Sequence, residues 1–338
     1  MYINSINYFR GISIILIVFG HSLEVAEFHY QSIIGNTVLN LTQGGTAFFV
    51  FISGFLFHHI FYKKFEFRRF VIKKTQYVLL PYLILSTILV VYWLQQKEAL
   101  SFFAIARHYL TGDYPSFIGY WYIPFIMVIF AMSPIFIRFI KLKSQLQLLV
   151  AFALLICSVY MHRGPFLTDY MVFQNVLYFI PIYLIGIISS ENQEVIFTKI
   201  KGHEYHFLIF AILIAAYQAN LGELGNYHKA PFTYGGMDLM IIQKVFLCLF
   251  FLVFFNRFEN SKIRALEIVA ANSFGIFFLH GIFIWILGII KTQLGHSFTS
   301  NSFITYIAVA SLVFFLALSV TVLLKKALPK YSRYLVGS

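Results

Sequence analysis

The stretch "RGISIILIVFGH", Arg10 to His21, sets ten mostly apolar residues between a permanent cation and an imidazole. Apart from its two ends it is a run of membrane-helix composition, and comparable runs recur along all 338 residues. Hydrophobic residues make up 60% of the chain and charged residues only 11%. A soluble domain carries about 25% charged residues to cover its surface. The chain therefore reads as an all-α integral membrane protein, because a helix satisfies its own backbone groups in lipid.

About ten transmembrane helices are expected, near 5–27, 42–62, 75–95, 117–138, 145–162, 170–190, 205–222, 236–256, 266–291 and 301–325. The N-terminus lacks the Lys/Arg-rich region of a cleavable signal peptide. The loops are too short for an appended soluble domain, so residues 1–338 read as one transmembrane domain. Cys157 and Cys248 lie in separate apolar segments and read as packing residues.

The net charge of +12 sorts by side. The segment "KKFEFRRFVIKK" holds Lys63, Lys64, Arg68, Arg69, Lys73 and Lys74. Arg138, Lys141, Lys143, Lys199, Lys201, Arg257, Lys262, Arg264 and the C-terminal Lys325, Lys326, Lys330 and Arg333 fall on the same side. Lys97, Arg107, Arg163, Lys229 and Lys291 fall on the other. This bias places both termini in the cytoplasm and accounts for the charge without nucleic acid. The dense basic loop suits anionic membrane lipids or the phosphates of a soluble anion, and the sequence leaves both open.

Ionisable residues inside a span are costly and tend to face a bundle interior or a wet cavity. Arg10 and His21 are eleven positions apart, an angular offset of about 20° and an axial separation of roughly 16 Å. Glu24 follows His21 at i+3 on the same face. The arginine is expected at the inner end and the histidine in the outer half. His280, in "NSFGIFFLHGIF", is expected at a similar depth, with Ser273 seven residues before it on the same face. Each polar group taken singly has an ordinary reading: a snorkelling arginine, or a histidine bonding a neighbouring helix. Their alignment on one face favours a functional stripe. Gly44, Gly45, Ser53 and Gly54 permit close helix packing. Lys244 is an interior cation that lines a cavity or pairs with a carboxylate such as Asp238. Trp121 lies near the outer surface. The chain contains no GxxxxGK[ST], HExxH or GxSxG pattern, and no metal-ligand spacing, so no metal is expected.

Several of these residues fall into a known pattern. Arg and His in the first span with ten residues between them are followed by Phe48, Phe49, Ile52, Ser53, Gly54, Phe55 and Leu56. A basic loop ends in Pro81-Tyr82, and Trp121-Tyr122-Ile123, Gly186 in "FIPIYLIGI", and Ser273, Phe277, Leu279 and His280 come after it in order. In this the chain resembles the membrane-bound acyltransferase type 3 family. The resemblance implies O-acyl transfer, most often of acetyl, from cytoplasmic acyl-CoA (acetyl-CoA) to a hydroxyl of an envelope glycan at the bacterial cell membrane. It places the CoA phosphates near Arg10, Arg68, Arg69, Lys73 and Lys74. It makes His21 the catalytic base or acyl carrier, with Glu24 orienting it. Ser53, Trp121, Lys244, Ser273 and His280 are further pocket candidates. Export of a polysaccharide, or transfer to a non-glycan acceptor, are the alternatives.

Overall fold

Every regular element among the described residues is a helix. The computed structural model describes residues 3–95, 101–114, 117–166, 168–224, 228–230, 233, 236–295 and 301–338. Lys97 lies outside them. The helices are α1 (Asn4–Val25), α2 (Ile33–Thr42), α3 (Thr46–Leu56), α4 (Phe67–Lys74), α5 (Leu80–Gln95), α6 (Phe102–Thr111), α7 (Tyr122–Ala131), α8 (Ser133–Ile140), α9 (Ser144–Met161), α10 (Met171–Glu191), α11 (Gln193–Lys199), α12 (Glu204–Asn220), α13 (Leu239–Asn256), α14 (Arg264–Ala271), α15 (Ser273–Leu294), α16 (Phe303–Ala327) and α17 (Ser332–Val336). Single π-helical turns follow α3 at Phe57–Phe61 and α4 at Thr75–Leu79.

Eight of the resulting segments are long and apolar enough to cross a membrane, or nine if the bent pair α7–α8 is one span. The sequence alone suggested about ten. Two local causes explain the difference, and a further expected span is divided without changing the count. Helix α12 has 17 residues, about 25 Å of helix, against a hydrocarbon core of about 30 Å. The expected span 117–138 is broken between Ala131 and Ser133 and bends by 54°. The expected span 266–291 is two helices, α14 and α15, separated at Asn272. Leu148, Leu149 and Phe152 on α9 and Leu312, Phe315 and Leu323 on α16 are exposed, as apolar residues facing lipid should be.

The chain divides into two compact units. The first comprises residues 1–17, 30–67 and 131–270, and the second 18–29, 68–130 and 271–338.

In the first unit the N-terminus of α1 has no acidic residue of its own. Glu259 supplies one: its carboxylate accepts from the Asn4 and Ser5 backbone N–H groups, each at 2.8 Å. A carboxylate on the first N–H groups of a helix satisfies donors left over by the helical pattern and complements the dipole. Helices α3 and α10 cross with their backbones almost touching. A Cβ on Gly54 would overlap the Tyr183 carbonyl, and one on Gly186 would overlap the Phe51 carbonyl. The contact is reciprocal: each helix presents a glycine to the other's backbone. Small residues are what allow such an approach in a membrane, where packing replaces the hydrophobic effect as the driving force.

In the second unit α1 is held against α16. The Tyr306 hydroxyl donates to the Phe19 carbonyl at 3.2 Å, and the Tyr306 ring stacks on Phe28 with centroids 5.2 Å apart. Gly275 on α15 faces the Thr321 side chain on α16 with no room for a Cβ.

Gly54→Ala and Gly186→Ala should each destabilise the protein by about 1–3 kcal/mol through overpacking. Gly288→Ala, whose Cβ would meet nothing within 4 Å, should not. Thermal unfolding in detergent distinguishes these outcomes, and equal Tm values for all three would contradict the crossing.

Candidate active site

His21 and His280 meet in the second unit. His21 Nδ1 lies 3.0 Å from His280 Nε2, and the rings are nearly parallel, 18° apart, with centroids separated by 5.2 Å. His21 sits seventeen residues from the start of α1 and His280 seven from the start of α15. The sequence expected the two imidazoles at a similar depth, and the structure brings the two rings into contact. The break at Asn272 makes α15 begin later than a span starting at residue 266 would.

The proton positions follow from the partners. His280 is fully buried, and its Nδ1 lies 2.6 Å from the Phe277 carbonyl and 3.1 Å from the Ile276 carbonyl. A carbonyl only accepts, so Nδ1 of His280 carries hydrogen. In the neutral ring Nε2 is then the acceptor, and the hydrogen between the rings belongs to His21 Nδ1. The neutral His21 ring consequently carries its lone pair on Nε2. Two backbone carbonyls thus fix the tautomer of a side chain on another helix. A nitrogen with a lone pair on one side and a donated N–H on the other is a proton acceptor held in orientation, the arrangement that general-base catalysis needs.

Gly119 closes this site from the loop between α6 and α7. Its φ is +108°, outside the range of ordinary L-residues. A Cβ there would sit 3.5 Å from His280 Cε1, 3.6 Å from His280 Nε2 and 3.8 Å from His21 Cε1. The absent side chain leaves a methyl-sized space at the edge of both rings. Next to it, the Tyr120 hydroxyl donates to the Phe278 carbonyl at 2.9 Å and ties this loop to α15. Gly112, at φ +68°, ends α6 with no room for a Cβ beside Tyr120 and Trp121. Trp121 is buried and packs on Tyr122 and Phe125. Tyr114 stacks on both Trp93 and His108, whose rings also touch each other. Burial pushes the Tyr114 phenol up to about 12, and burial likewise raises Tyr120. Both remain protonated at neutral pH.

The other sequence candidates are placed as follows. Glu24 is exposed and makes no side-chain hydrogen bond or ion pair among the described residues. The His21 ring instead meets His280 across the 3.0 Å contact. Ser273 is buried at the first residue of α15. Arg68, Arg69 and Lys73 are exposed on α4, whereas the Lys74 ammonium lies 4.3 Å from the centre of the Phe130 ring. All of these belong to the second unit.

Arg10, Ser53 and Lys244 belong to the first. The Arg10 guanidinium donates to the Asn7 amide oxygen at 3.2 Å. Ser53 adjoins Gly54 in the α3–α10 crossing. Lys244 is buried and donates to the Asn40 and Leu41 carbonyls at 3.0 and 2.9 Å. It thereby caps the C-terminal turn of α2, where a cation complements the helix dipole. Asp238 is held by the Tyr178 hydroxyl at 2.9 Å and the Met240 N–H at 3.0 Å, with His162 Nδ1 at 3.9 Å. Burial raises the Asp238 carboxyl, and burial lowers the nearby Arg163 guanidinium.

Gly119 is the functional candidate that the sequence reading missed. Its only sequence signal is a glycine two residues before Trp121. Gly119→Ala should cost about 1–3 kcal/mol from backbone strain, with Gly119→Val costing more. Unchanged Tm for both variants would contradict the assigned conformation.

Compared with known proteins, residues 3–326 match a family model described as an acyltransferase domain. No curated protein and no solved structure matches the chain.

Proposed function

Because the chain belongs to the acyltransferase type 3 family, we propose that this membrane acyltransferase works as an O-acetyltransferase, with His21 as its base. It moves the acyl group of cytoplasmic acetyl-CoA to a hydroxyl of a surface polysaccharide or its lipid-linked precursor. The setting is the bacterial cytoplasmic membrane, with both chain termini on the cytoplasmic side. The observation that carries the reading is the 3.0 Å contact between His21 Nδ1 and His280 Nε2, with His280 Nδ1 locked by two carbonyls.

The chemistry follows from the tautomer. His21 Nε2 takes the proton of the acceptor hydroxyl as the oxygen attacks the thioester carbonyl. The imidazolium so formed keeps its Nδ1–H on His280 Nε2, which stabilises the new charge and holds the ring. Collapse of the tetrahedral intermediate expels the CoA thiolate, and the proton on His21 Nε2 is passed to it. The ester forms, the thioester breaks, and His21 returns to its starting state. An orienting partner of this kind acts as the carboxylate does in a serine-protease triad, by fixing tautomer and direction. The exposed cations of α4 supply attraction for the donor phosphates at the cytoplasmic surface.

The test is genetic and chemical. Deleting the gene should remove the O-acetyl signal from the envelope glycan in proton NMR while glycan export continues. Wild type should restore the signal and His21→Ala should not. His280→Ala should lower the rate by about 10²-fold or more with little change in donor KM. Full acetylation with His21→Ala would overturn the assignment, and glycan retained inside the cell would indicate export instead.

A further inference from the structure

Helix α6 follows α5 in the chain and ends against its middle. The Tyr82 hydroxyl donates to the Tyr109 carbonyl at 2.9 Å and the His108 carbonyl at 3.2 Å. Thr87 Oγ1 lies 2.8 Å from the Tyr109 hydroxyl. Tyr82 and Thr87 stand thirteen and eight residues before the end of α5 at Gln95, about 20 and 12 Å along the helix axis. The last carbonyls of a helix have no partner in the helical pattern and cannot be left bare in hydrocarbon. Tyr82 supplies a donor to them from the middle of a segment long and apolar enough to cross the membrane.

The chain keeps this depth beyond α6. A Cβ on Gly281 would overlap the Ile118 carbonyl, and the Tyr120 hydroxyl donates to the Phe278 carbonyl. Gly281 and Phe278 stand thirteen and sixteen residues before the end of α15 at Leu294, about 20 and 24 Å along its axis. Helix α7 begins two residues after Tyr120. Helices α6 and α7 have 10 residues each. That is about 15 Å of helix apiece, and two such halves span a hydrocarbon core of about 30 Å. Phe102, Phe103 and Leu110 on α6 are exposed, as residues facing lipid should be.

Residues 117–121, ahead of α7, are not helical. Irregular backbone at membrane depth persists only where protein buries it or where it lines a water-filled space. Gly119 and Tyr120 are buried, and their backbone N–H groups make no hydrogen bond among the described residues. Buried donors without a protein partner call for water. The methyl-sized space at Gly119 opens on both imidazoles of the histidine pair.

We propose that α6 and α7 are the two halves of one interrupted membrane crossing, whose break at residues 117–121 is hydrated and admits a hydroxyl-bearing acceptor to His21. The acceptor enters from the side where α6 begins, the outer side in the orientation proposed above. Its chemistry rests on the acetyltransferase reading, whereas the wet break does not. Breaks between half-helices near the bilayer midplane are where polar substrates are bound in many transporters, because the interrupted backbone offers polar groups at that depth.

Amide hydrogen exchange of the unsubstituted protein in nanodiscs tests the water. Peptides containing Gly119 and Tyr120 should take up deuterium within about a minute, while peptides from the middle of α15 stay protected for hours. Protection at 119 and 120 equal to that of α15 overturns the wet break. The entrance is read in sealed right-side-out and inside-out vesicles with a membrane-impermeant methanethiosulfonate, in a Cys157→Ser, Cys248→Ala background. Ile88, next to Thr87 on α5, is exposed and serves as the lipid-facing control. Ile118→Cys should be modified from the outer side about 100-fold faster than Ile88→Cys, because only a thiolate in water reacts. Equal rates, or modification of Ile118→Cys from the cytoplasmic side alone, overturn the entrance. Neither measurement reads acetyl transfer, so a protein that acetylates no glycan overturns the function proposed above while the wet break is still decided. If modified Ile118→Cys keeps full acetyl transfer, the break stands and the passage of the acceptor through it falls.

Discussion

The hydrogen bond between His21 Nδ1 and His280 Nε2 is the contact on which the proposed chemistry turns. An imidazole in hydrocarbon has no water to satisfy it, and an unpaired polar group there costs several kcal/mol. Each histidine meets that demand for the other. The two carbonyls at Ile276 and Phe277 then set the direction of the whole chain of donors, from α15 to His280 to His21. A purely structural requirement, that no buried donor be left unmade, leaves one nitrogen of His21 as the acceptor. Stability and the proposed reactivity have the same origin here.

The glycines play a matching part in the backbone. Where Gly54 meets Tyr183 and Gly186 meets Phe51, the missing side chains let two helices touch. At Gly119 the missing side chain faces the two imidazoles instead. The first arrangement gives the first unit its tightest packing. The second leaves room for a methyl group at the edges of the two rings.

The histidine pair was legible in the sequence because an imidazole in an apolar run stands out against its surroundings. The stretches around Ser53–Gly54 and Gly186 were legible as motifs, though their reciprocal contact was not, because spacing within one helix says nothing of which helix it will face. The break at Asn272 escaped because hydropathy continues across it, and only the backbone interrupts. Gly119 escaped because its role depends on a φ of +108° and on two rings distant in sequence. Lys244 shows the limit from the other side. Its burial was foreseen, but its partners are backbone carbonyls at the end of α2, which no side-chain pattern records. Glu24, three residues after His21, had the right spacing and an exposed position. Sharing a helix face is necessary for a contact and does not create one.

The direct test of the account is the state of the two imidazoles in the folded protein. Selectively ¹⁵N-histidine-labelled protein in lipid bilayers is examined by solid-state NMR, with His21→Ala and His280→Ala for assignment. The account predicts a nitrogen–nitrogen coupling between His21 Nδ1 and His280 Nε2. It also predicts protonated Nδ1 on both rings and an unprotonated Nε2 on neutral His21. A neutral His21 protonated at Nε2, or no coupling between the two rings, would contradict it.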